Sequence, residues 1–314
     1  MTDKRLFMLF GLLILACALF LLWNLRAPMG FILSLRLTKL AALCVVGGAI
    51  GAATVLFQTI AANRMLTPGI VGFDALFVFI QTMLVLFLGG AGFASLPSLA
   101  QFGIETLILV LTALALFSVL LRKGADDILR LVLTGVILGV LLRGLAGLAQ
   151  RLLDPSEFSI VQQASFATFG AVDKTQLVIA SIILTGCFCA AMRISRFLDV
   201  VALGRNIALP LGLDYDRTIF AALGLVALLV ATSTALVGPI TFLGLLASSL
   251  AHAALPTWRH SRLLPAAAII GAMILVAGQF VFERLLGLQS TLTVVVEFAG
   301  GVLFLFLVLR RPKP

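Results

Sequence analysis

The sequence predicts an all-α membrane protein with about ten transmembrane helices, two short cytoplasmic helices and both termini in the cytoplasm. The prediction rests on composition, on ten apolar runs and on the placement of basic residues. Hydrophobic residues make up 62% of the 314 residues and charged residues only 11%, whereas a soluble domain is about 45–50% apolar and about 25% charged. This composition excludes a soluble enzyme and a disordered chain. Ten spans of about 20 residues leave no room for a second domain, so 1–314 is predicted to be a single transmembrane domain.

The apolar runs are separated by glycine, proline and charged residues. The first begins with Lys4 and Arg5 but has no small-residue cleavage site, so we expect a retained span and not a signal peptide. The eighth is short and follows Gly238-Pro239, where the sequence predicts a helix break and a gate. The predicted spans are 6–25, 38–62, 70–88, 103–121, 128–149, 175–193, 217–236, 240–254, 263–283 and 291–309.

Basic residues at the ends of these runs predict the orientation. With both termini in the cytoplasm, fifteen of the 22 Lys and Arg residues lie inside and six outside, as the positive-inside rule requires. The net charge of +9 therefore reflects membrane topology, and no nucleic-acid partner is expected. The inner set is Lys4, Arg5, Arg64, Arg122, Lys123, Arg130, Arg193, Arg196, Arg205, Arg217, Arg259, Arg262, Arg310, Arg311 and Lys313. The outer set is Arg26, Arg36, Lys39, Arg151, Lys174 and Arg284.

The longest inner loop, 194–216, is amphipathic and is interrupted by Gly204, Pro210 and Gly212. Glycine and proline at such intervals end helices. The loop is therefore predicted to form two short helices across 197–213 that lie along the cytoplasmic surface.

Several kinds of chemistry have no sequence support. Lys174-Thr175 comes closest to a phosphate-binding loop, but Asp173 stands where that loop needs glycine, so the chain is not expected to hydrolyse ATP. His252 and His260 have no Cys or carboxylate at metal-ligand spacing. The four cysteines lie inside apolar runs and are expected to be packing residues. We therefore expect neither an enzyme nor a bound metal or cofactor.

Charged residues inside the spans are the strongest remaining lead. Arg143 and Glu297 lie at similar depth, about 9 Å from the outer ends of spans five and ten. A charge in lipid is expensive and usually faces a partner or water. A structural Arg143–Glu297 pair, the wall of a water-filled pathway and a proton-coupling site all remain open.

Three basic residues on the predicted outer side are exceptions to the positive-inside rule. Arg36 and Lys39 open span two and share a helix face, and Arg284 closes span nine. Either they reach towards lipid phosphate, or they dock acidic residues of a partner protein.

Four motifs in order resemble the permease subunits of bacterial ABC importers for iron–siderophore complexes and vitamin B12. They lie at 36–39 (Arg-Leu-Thr-Lys), 63–74 (Asn-Arg-Met-Leu-Thr-Pro to Gly-Phe-Asp), 203–212 and 238–245 (Gly-Pro-Ile-Thr-Phe-Leu-Gly-Leu). The 63–74 stretch is similar to a subgroup that serves catecholate-type siderophores. The resemblance covers the chain from span two to its C-terminus.

The resemblance implies half of a permease dimer, whose other chain is a second, separately encoded permease. It also implies two cytoplasmic ATPase subunits that hold Mg-ATP, while this chain binds no cofactor. These subunits would contact the inner loop at residues that match the family's coupling segment. The residues are Leu203, Gly204, Ala208, Leu209 and Gly212.

The resemblance further implies a periplasmic or lipid-anchored siderophore-binding protein, expected to dock at Arg36, Lys39 and Arg284. The expected function is ATP-driven import of ferric siderophores across the bacterial cytoplasmic (inner) membrane by alternating access. The main alternative is a secondary transporter driven by an ion gradient, which would need an essential carboxylate within one chain. A membrane scaffold that transports nothing is a third possibility.

Overall fold

The computed structural model describes residues 2–24, 29–120, 128–170, 172–285, 287 and 292–309. These residues form α-helices, with π-helical turns at Gly69–Phe73 and Val281–Leu285, and no strand lies among them. Of the basic residues used for orientation, Arg26, Arg122, Lys123, Arg310, Arg311 and Lys313 lie outside the described residues. The helices are α1 (Thr2–Leu22), α2 (Met29–Ile60), α3 (Asp74–Ala94), α4 (Ser98–Leu120), α5 (Ile128–Gln150), α6 (Pro155–Ala164), α7 (Lys174–Val201), α8 (Arg205–Ala208), α9 (Tyr215–Val237), α10 (Leu243–Ala254), α11 (His260–Phe280) and α12 (Leu292–Leu309).

The helices agree with the predicted membrane fold. Within the described ranges, eight helices are long and apolar enough to cross a membrane, and they match predicted spans one to seven and nine. Two shorter apolar helices, Leu243–Ala254 and Val294–Leu303, take the places of spans eight and ten. The all-helical membrane architecture is confirmed, whereas ten crossings remain a proposal.

The eighth predicted span is a helix joined to a non-helical segment. Helix α9 ends at Val237, and Gly238 has a φ of +98°, which suits glycine. Pro239 follows, and α10 begins only at Leu243. The 12 residues of α10 rise about 18 Å, and residues 238–240, which precede a turn at 241–242, can add about 10 Å when extended. Together they can nearly cover a hydrocarbon core of about 30 Å.

Contacts between distant segments gather the predicted inner helix ends at one end of the bundle. Arg5 Nη1 donates to the carbonyl of Ala254 at 3.0 Å. Gln58 Nε2 donates to Ser248 Oγ at 3.0 Å. The start of α1 and the ends of α2 and α10 therefore lie side by side.

The opposite end gathers the predicted outer segments. There the backbone N–H of Gly90 donates to Glu157 Oε1 at 2.8 Å. The backbone N–H of Thr168 donates to the carbonyl of Val237 at 2.7 Å. Part of the predicted outer loop, 150–174, is thus ordered as α6, which the sequence had not predicted to be helical.

Helix α2 is the centre of the bundle, because it packs along α7, α9, α10 and α11 and most of its side chains are buried. It begins at Met29, nine residues before the predicted span. The helix thus extends beyond the predicted span, because Arg36 and Lys39 were read as the charges that open the span and the residues before them were left out. Both lie inside the helix, where Arg36 is buried and Lys39 has an acidic partner.

Helix α7 is longer at its inner end than the sequence predicts. Its first turn is capped by Asp173 Oδ1, which accepts from the backbone N–H groups of Gln176 and Thr175 at 3.2 and 2.8 Å. These two bonds lower the pKa of the Asp173 carboxyl. The helix then continues to Val201, so 197–201 is its last part and not a separate short helix. The prediction of two short helices is wrong, because the chain stays helical through 197–201 and the first helix breaker after α7 is Gly204, at a φ of +89°.

One short helix, α8, remains in the inner loop. Leu213 N–H donates to the carbonyl of Ala208 at 3.2 Å, and Gly212 N–H donates to that of Leu209 at 2.9 Å. With Gly212 at a φ of +80°, this pair of bonds is the Schellman arrangement that closes a helix C-terminus. The turn after α8 therefore continues it up to Gly212.

Candidate functional site

The inner segment around α8 has one buried and one exposed side. Ala208 is fully buried, whereas Leu203 and Leu209 are about half exposed. Ile207 and Leu211, which the sequence analysis did not single out, are exposed beside them. We call these four exposed residues the α8 surface: Leu203, Ile207, Leu209 and Leu211. Ala208 therefore holds α8 on the bundle and is not available for contact with another protein.

An ion pair fastens α8 to the first turn of α9. Arg205 Nη1 and Nη2 donate to Asp216 Oδ1 and Oδ2 at 2.6 and 3.2 Å. The same guanidinium lies 5.7 Å from the centre of the Tyr215 ring. Two parallel bonds from one guanidinium fix orientation as well as distance, so α8 and the start of α9 form one unit.

A second polar cluster joins three helices at the same end. His260 Nδ1 lies 2.7 Å from Asp199 Oδ1, which also accepts from the His260 backbone N–H at 2.8 Å. His260 Nε2 lies 2.7 Å from Thr59 Oγ1. Helices α2, α7 and α11 are thereby tied together just before α8. Sequence reasoning missed this cluster because Asp199 and His260 are 61 residues apart and only tertiary packing joins them.

The intramembrane charges are organised around Asp74, which the sequence analysis had left without a role. Asp74 Oδ2 accepts from Thr241 Oγ1 at 2.6 Å. Both Arg143 and Glu297 interact electrostatically with the Asp74 carboxylate. Asp74 therefore lies within electrostatic range of both charges, but Arg143 forms no ion pair within 4.0 Å with Asp74 or with Glu297, all three of which are described.

Arg143 is exposed on α5, at a depth where an exposed charge is unusual. Seven residues separate it from Gln150, the last residue of α5, which corresponds to about 10 Å along the axis. A charge at such depth faces protein or water, not lipid. This face of α5 therefore requires another protein surface or an aqueous path against it.

The three predicted outer residues lie near one another but differ in their partners. Arg36 is only 6% exposed and donates from Nη1 to the carbonyls of Leu21 and Trp23 at 2.7 and 2.8 Å. It thereby satisfies carbonyls at the C-terminal end of α1, in the way basic side chains cap helices. Lys39 forms an ion pair with Glu283.

Arg284 follows Glu283 directly. It is half-buried, its Nε is buried without a partner, and its charge repels that of Arg36.

Gly238 and Pro239 are both buried and lie in the non-helical segment between α9 and α10. A Cβ on Gly238 would lie 3.0 Å from the Ala167 Cα atom, so glycine is also needed for space. Among the residues that the structure describes, no group of three or more His, Cys, Asp or Glu side chains could hold a metal ion.

Comparisons with known proteins agree with this architecture. The model of the FecCD transport family matches residues 7–310. The petrobactin import system permease protein YclO of Bacillus subtilis (strain 168) is 40% identical over 314 residues, covering 99% of each chain. The petrobactin import system permease protein FatC of Bacillus anthracis is 32% identical, over 88% of this chain and 78% of that protein.

A solved structure described as an inward-facing conformation of a metal-chelate type ABC transporter has the same fold. Its TM-score is 0.85 at 22% identity, over 99% of this chain and 100% of that one.

Proposed function

Since this chain belongs to the FecCD transport family and is the membrane permease subunit of an ABC importer, we propose that its cargo is a ferric siderophore of the catecholate type. It is a multi-pass protein of the inner membrane and not an enzyme. The observation that carries the cargo proposal is the 40% identity to a petrobactin permease along 99% of both chains.

Uptake of labelled iron tests this cargo. A strain that lacks the chain is supplied with radioactive iron as ferric petrobactin or as a ferric hydroxamate. We expect the deletion to abolish uptake of iron from petrobactin, re-expression of the chain to restore it, and hydroxamate uptake to be unchanged. If loss of the chain affects only hydroxamate uptake, or neither, the cargo proposal is wrong.

The translocation pathway is proposed to lie between this chain and a second permease chain. Exposed Arg143 supports it, because that charge needs protein or water against α5. Arg143 and Glu297, with Asp74 between them, are proposed to form part of the pathway wall. A heterodimer with a separately encoded permease is the proposed assembly.

Two cytoplasmic ATPase subunits, which hold Mg-ATP, are proposed to drive alternating access. One of them is proposed to contact the α8 surface, because a cluster of exposed apolar side chains marks a site of interaction with another protein. The ion pair between Arg205 and Asp216 would transmit a displacement of α8 directly to α9. At the far end of α9, Gly238 and Pro239 are proposed to act as the gate. Ten crossings with both termini in the cytoplasm complete the proposed arrangement.

The outer end is proposed to dock the siderophore-binding protein. Exposed Arg151 and Lys174 add to the predicted Arg36, Lys39 and Arg284, but exposed Asp154 and Asp173 lie close to the first two in the sequence. The excess of positive charge is therefore concentrated where Arg36, Lys39, Lys174 and Arg284 line one cavity with a single acidic residue among the described lining, Glu283. Such charge steers an acidic partner into place. Because Arg36 and Lys39 already have partners within the chain, direct contact falls mainly to the exposed residues.

A secondary transporter is the less favoured alternative. Its supporting feature is the half-buried Asp74 carboxylate beside Thr241, which is the kind of group that an ion-coupled carrier requires.

A further inference from the structure

A cavity of about 610 Å³ opens at the outer end of the bundle, between α1, α2, α7 and the turn after α11. Its size is typical of a ligand site. Four cationic side chains line it: Arg36, Lys39, Lys174 and Arg284. Glu283 is the one acidic residue among the described lining, and it is already paired with Lys39. The cavity therefore carries a strong excess of positive charge.

Two guanidinium groups in this cavity have no ion-pair partner among the described residues, because Glu283, which attracts Arg36, is already paired with Lys39. Arg36 is bound to carbonyl oxygens, which accept its hydrogen bonds but do not neutralise it. Arg284 makes no hydrogen bond or ion pair with any residue that the structure describes. The two charges repel each other, and the Nε atoms of both are buried without partners. An anion held between them would relieve the repulsion and form charge-assisted hydrogen bonds.

The depth of the cavity indicates which kind of anion it would bind. Arg36 precedes Ile60, at the inner end of α2, by 24 residues, or about 36 Å. The hydrocarbon core is about 30 Å thick, so Arg36 lies at the level of the outer headgroups. Trp23, which packs edge-on to Phe280 at 5.6 Å, is half exposed at the same end, as interfacial tryptophans are.

We propose that this cavity binds the phosphodiester headgroup of an anionic phospholipid of the outer leaflet. Arg36 and Arg284 hold the phosphate oxygens, and Lys174 stands at the mouth. Exposed Leu35 and neighbouring Ile32 line the cavity on the α2 side, where acyl chains can lie. Basic pockets between membrane helices recognise lipid headgroups in this way. The bound lipid would hold the outer ends of α1 and α2 together.

The test uses the assembled importer, purified in detergent and stripped of lipid. Its unfolding temperature is measured with phosphatidylglycerol, with phosphatidylcholine or with inorganic phosphate, and retained lipid is counted by native mass spectrometry. We expect phosphatidylglycerol to raise the unfolding temperature by about 2–4 °C and the other two to have little effect. Arg284→Gln should reduce lipid retention about tenfold and remove the shift. Arg151→Gln, an exposed outer cation that does not line the cavity, is the matched control.

Three results would overturn the proposal. An equal shift with inorganic phosphate would mean a site for free anions, and equal lipid retention by Arg284→Gln and wild type would remove the site altogether. The third result concerns displacement of the lipid by the siderophore-binding protein: if phosphatidylglycerol no longer raises the unfolding temperature once that protein is added, and the complex contains no lipid, then Arg36 and Arg284 serve docking. Arg36→Gln is not used, because Arg36 also caps α1. The cargo experiment is independent of all three results.

Discussion

Helices α2 and α11 cross with their backbones in close contact at Gly47 and Gly271. A Cβ on Gly47 would lie 2.6 Å from the Gly271 carbonyl oxygen, which is backbone and cannot rotate away. On neighbouring Gly48 the nearest atom would be 3.6 Å away, an ordinary contact. The neighbouring residues Gly47 and Gly48 therefore differ in whether the packing around them can accommodate an added Cβ atom.

We predict that Gly47→Ala destabilises the protein by about 1–3 kcal/mol through overpacking. Gly48→Ala should be neutral or slightly stabilising, because alanine has the higher helix propensity. Thermal unfolding of the two variants in detergent provides the comparison. Equal unfolding temperatures would show that the two helices do not cross at Gly47.

We predict that the Asp74 carboxylate interacts favourably with Arg143 and unfavourably with Glu297. Arg143 attracts its carboxylate and Glu297 repels it. Arg143→Gln should therefore destabilise the protein only while Asp74 is present, and Glu297→Gln should stabilise it under the same condition. Double-mutant cycles with Asp74→Asn, read from unfolding temperatures, should give coupling of about 0.5–3 kcal/mol in each case. A larger coupling between Arg143 and Glu297 would instead support the direct pair.

For single residues, the sequence could identify the charges inside the membrane spans but not the residues that contact them. Arg143 and Glu297 were recognised because charge is rare inside an apolar run. The bond from Thr241 to Asp74 joins residues 167 positions apart and cannot be read from spacing. The same applies to Arg36, whose capping of α1 depends on how two helices pack.

Among the elements, α8 carries the most direct functional prediction. Leu209→Glu places a charge on the exposed α8 surface and should leave the unfolding temperature unchanged. It should lower ATP-driven uptake about tenfold or more, because a charge without a partner in an interface costs at least about 1–3 kcal/mol.

Ala208→Glu is the matched comparison from the buried side of α8. It should destabilise the protein by about 3 kcal/mol or more, because a buried charge is left uncompensated. Uptake and unfolding temperature are measured for both variants. If Leu209→Glu transports normally, α8 does not couple to the ATPase.

Most elements followed from hydrophobic runs, because a lipid environment forces long apolar helices. The errors came from local signals that were read as boundaries. The charges at 36–39 led the sequence analysis to leave out the first nine residues of α2. The helix includes these charges because they have partners within the chain. The inner loop was predicted to contain two helices, but the segment 197–201 has no breaker and extends α7.

At the scale of the whole molecule, topology can be measured directly. Ser156 in α6 and Trp258 between α10 and α11 are both exposed, at predicted opposite sides. In a cysteine-free background, an impermeant maleimide added to intact cells should label Ser156→Cys at once. Trp258→Cys should be labelled only after the membrane is permeabilised. The reverse pattern would invert the proposed orientation.

The central claim is that ATP hydrolysis in partner subunits drives a ferric siderophore through a pathway that this chain helps to form. It is tested most directly in vesicles that contain the assembled importer and its binding protein, with labelled ferric petrobactin on the side of the binding protein. We predict uptake that requires ATP on the ATPase side and persists when ionophores collapse every ion gradient. Uptake that proceeds on an ion gradient without ATP or ATPase subunits would contradict the claim.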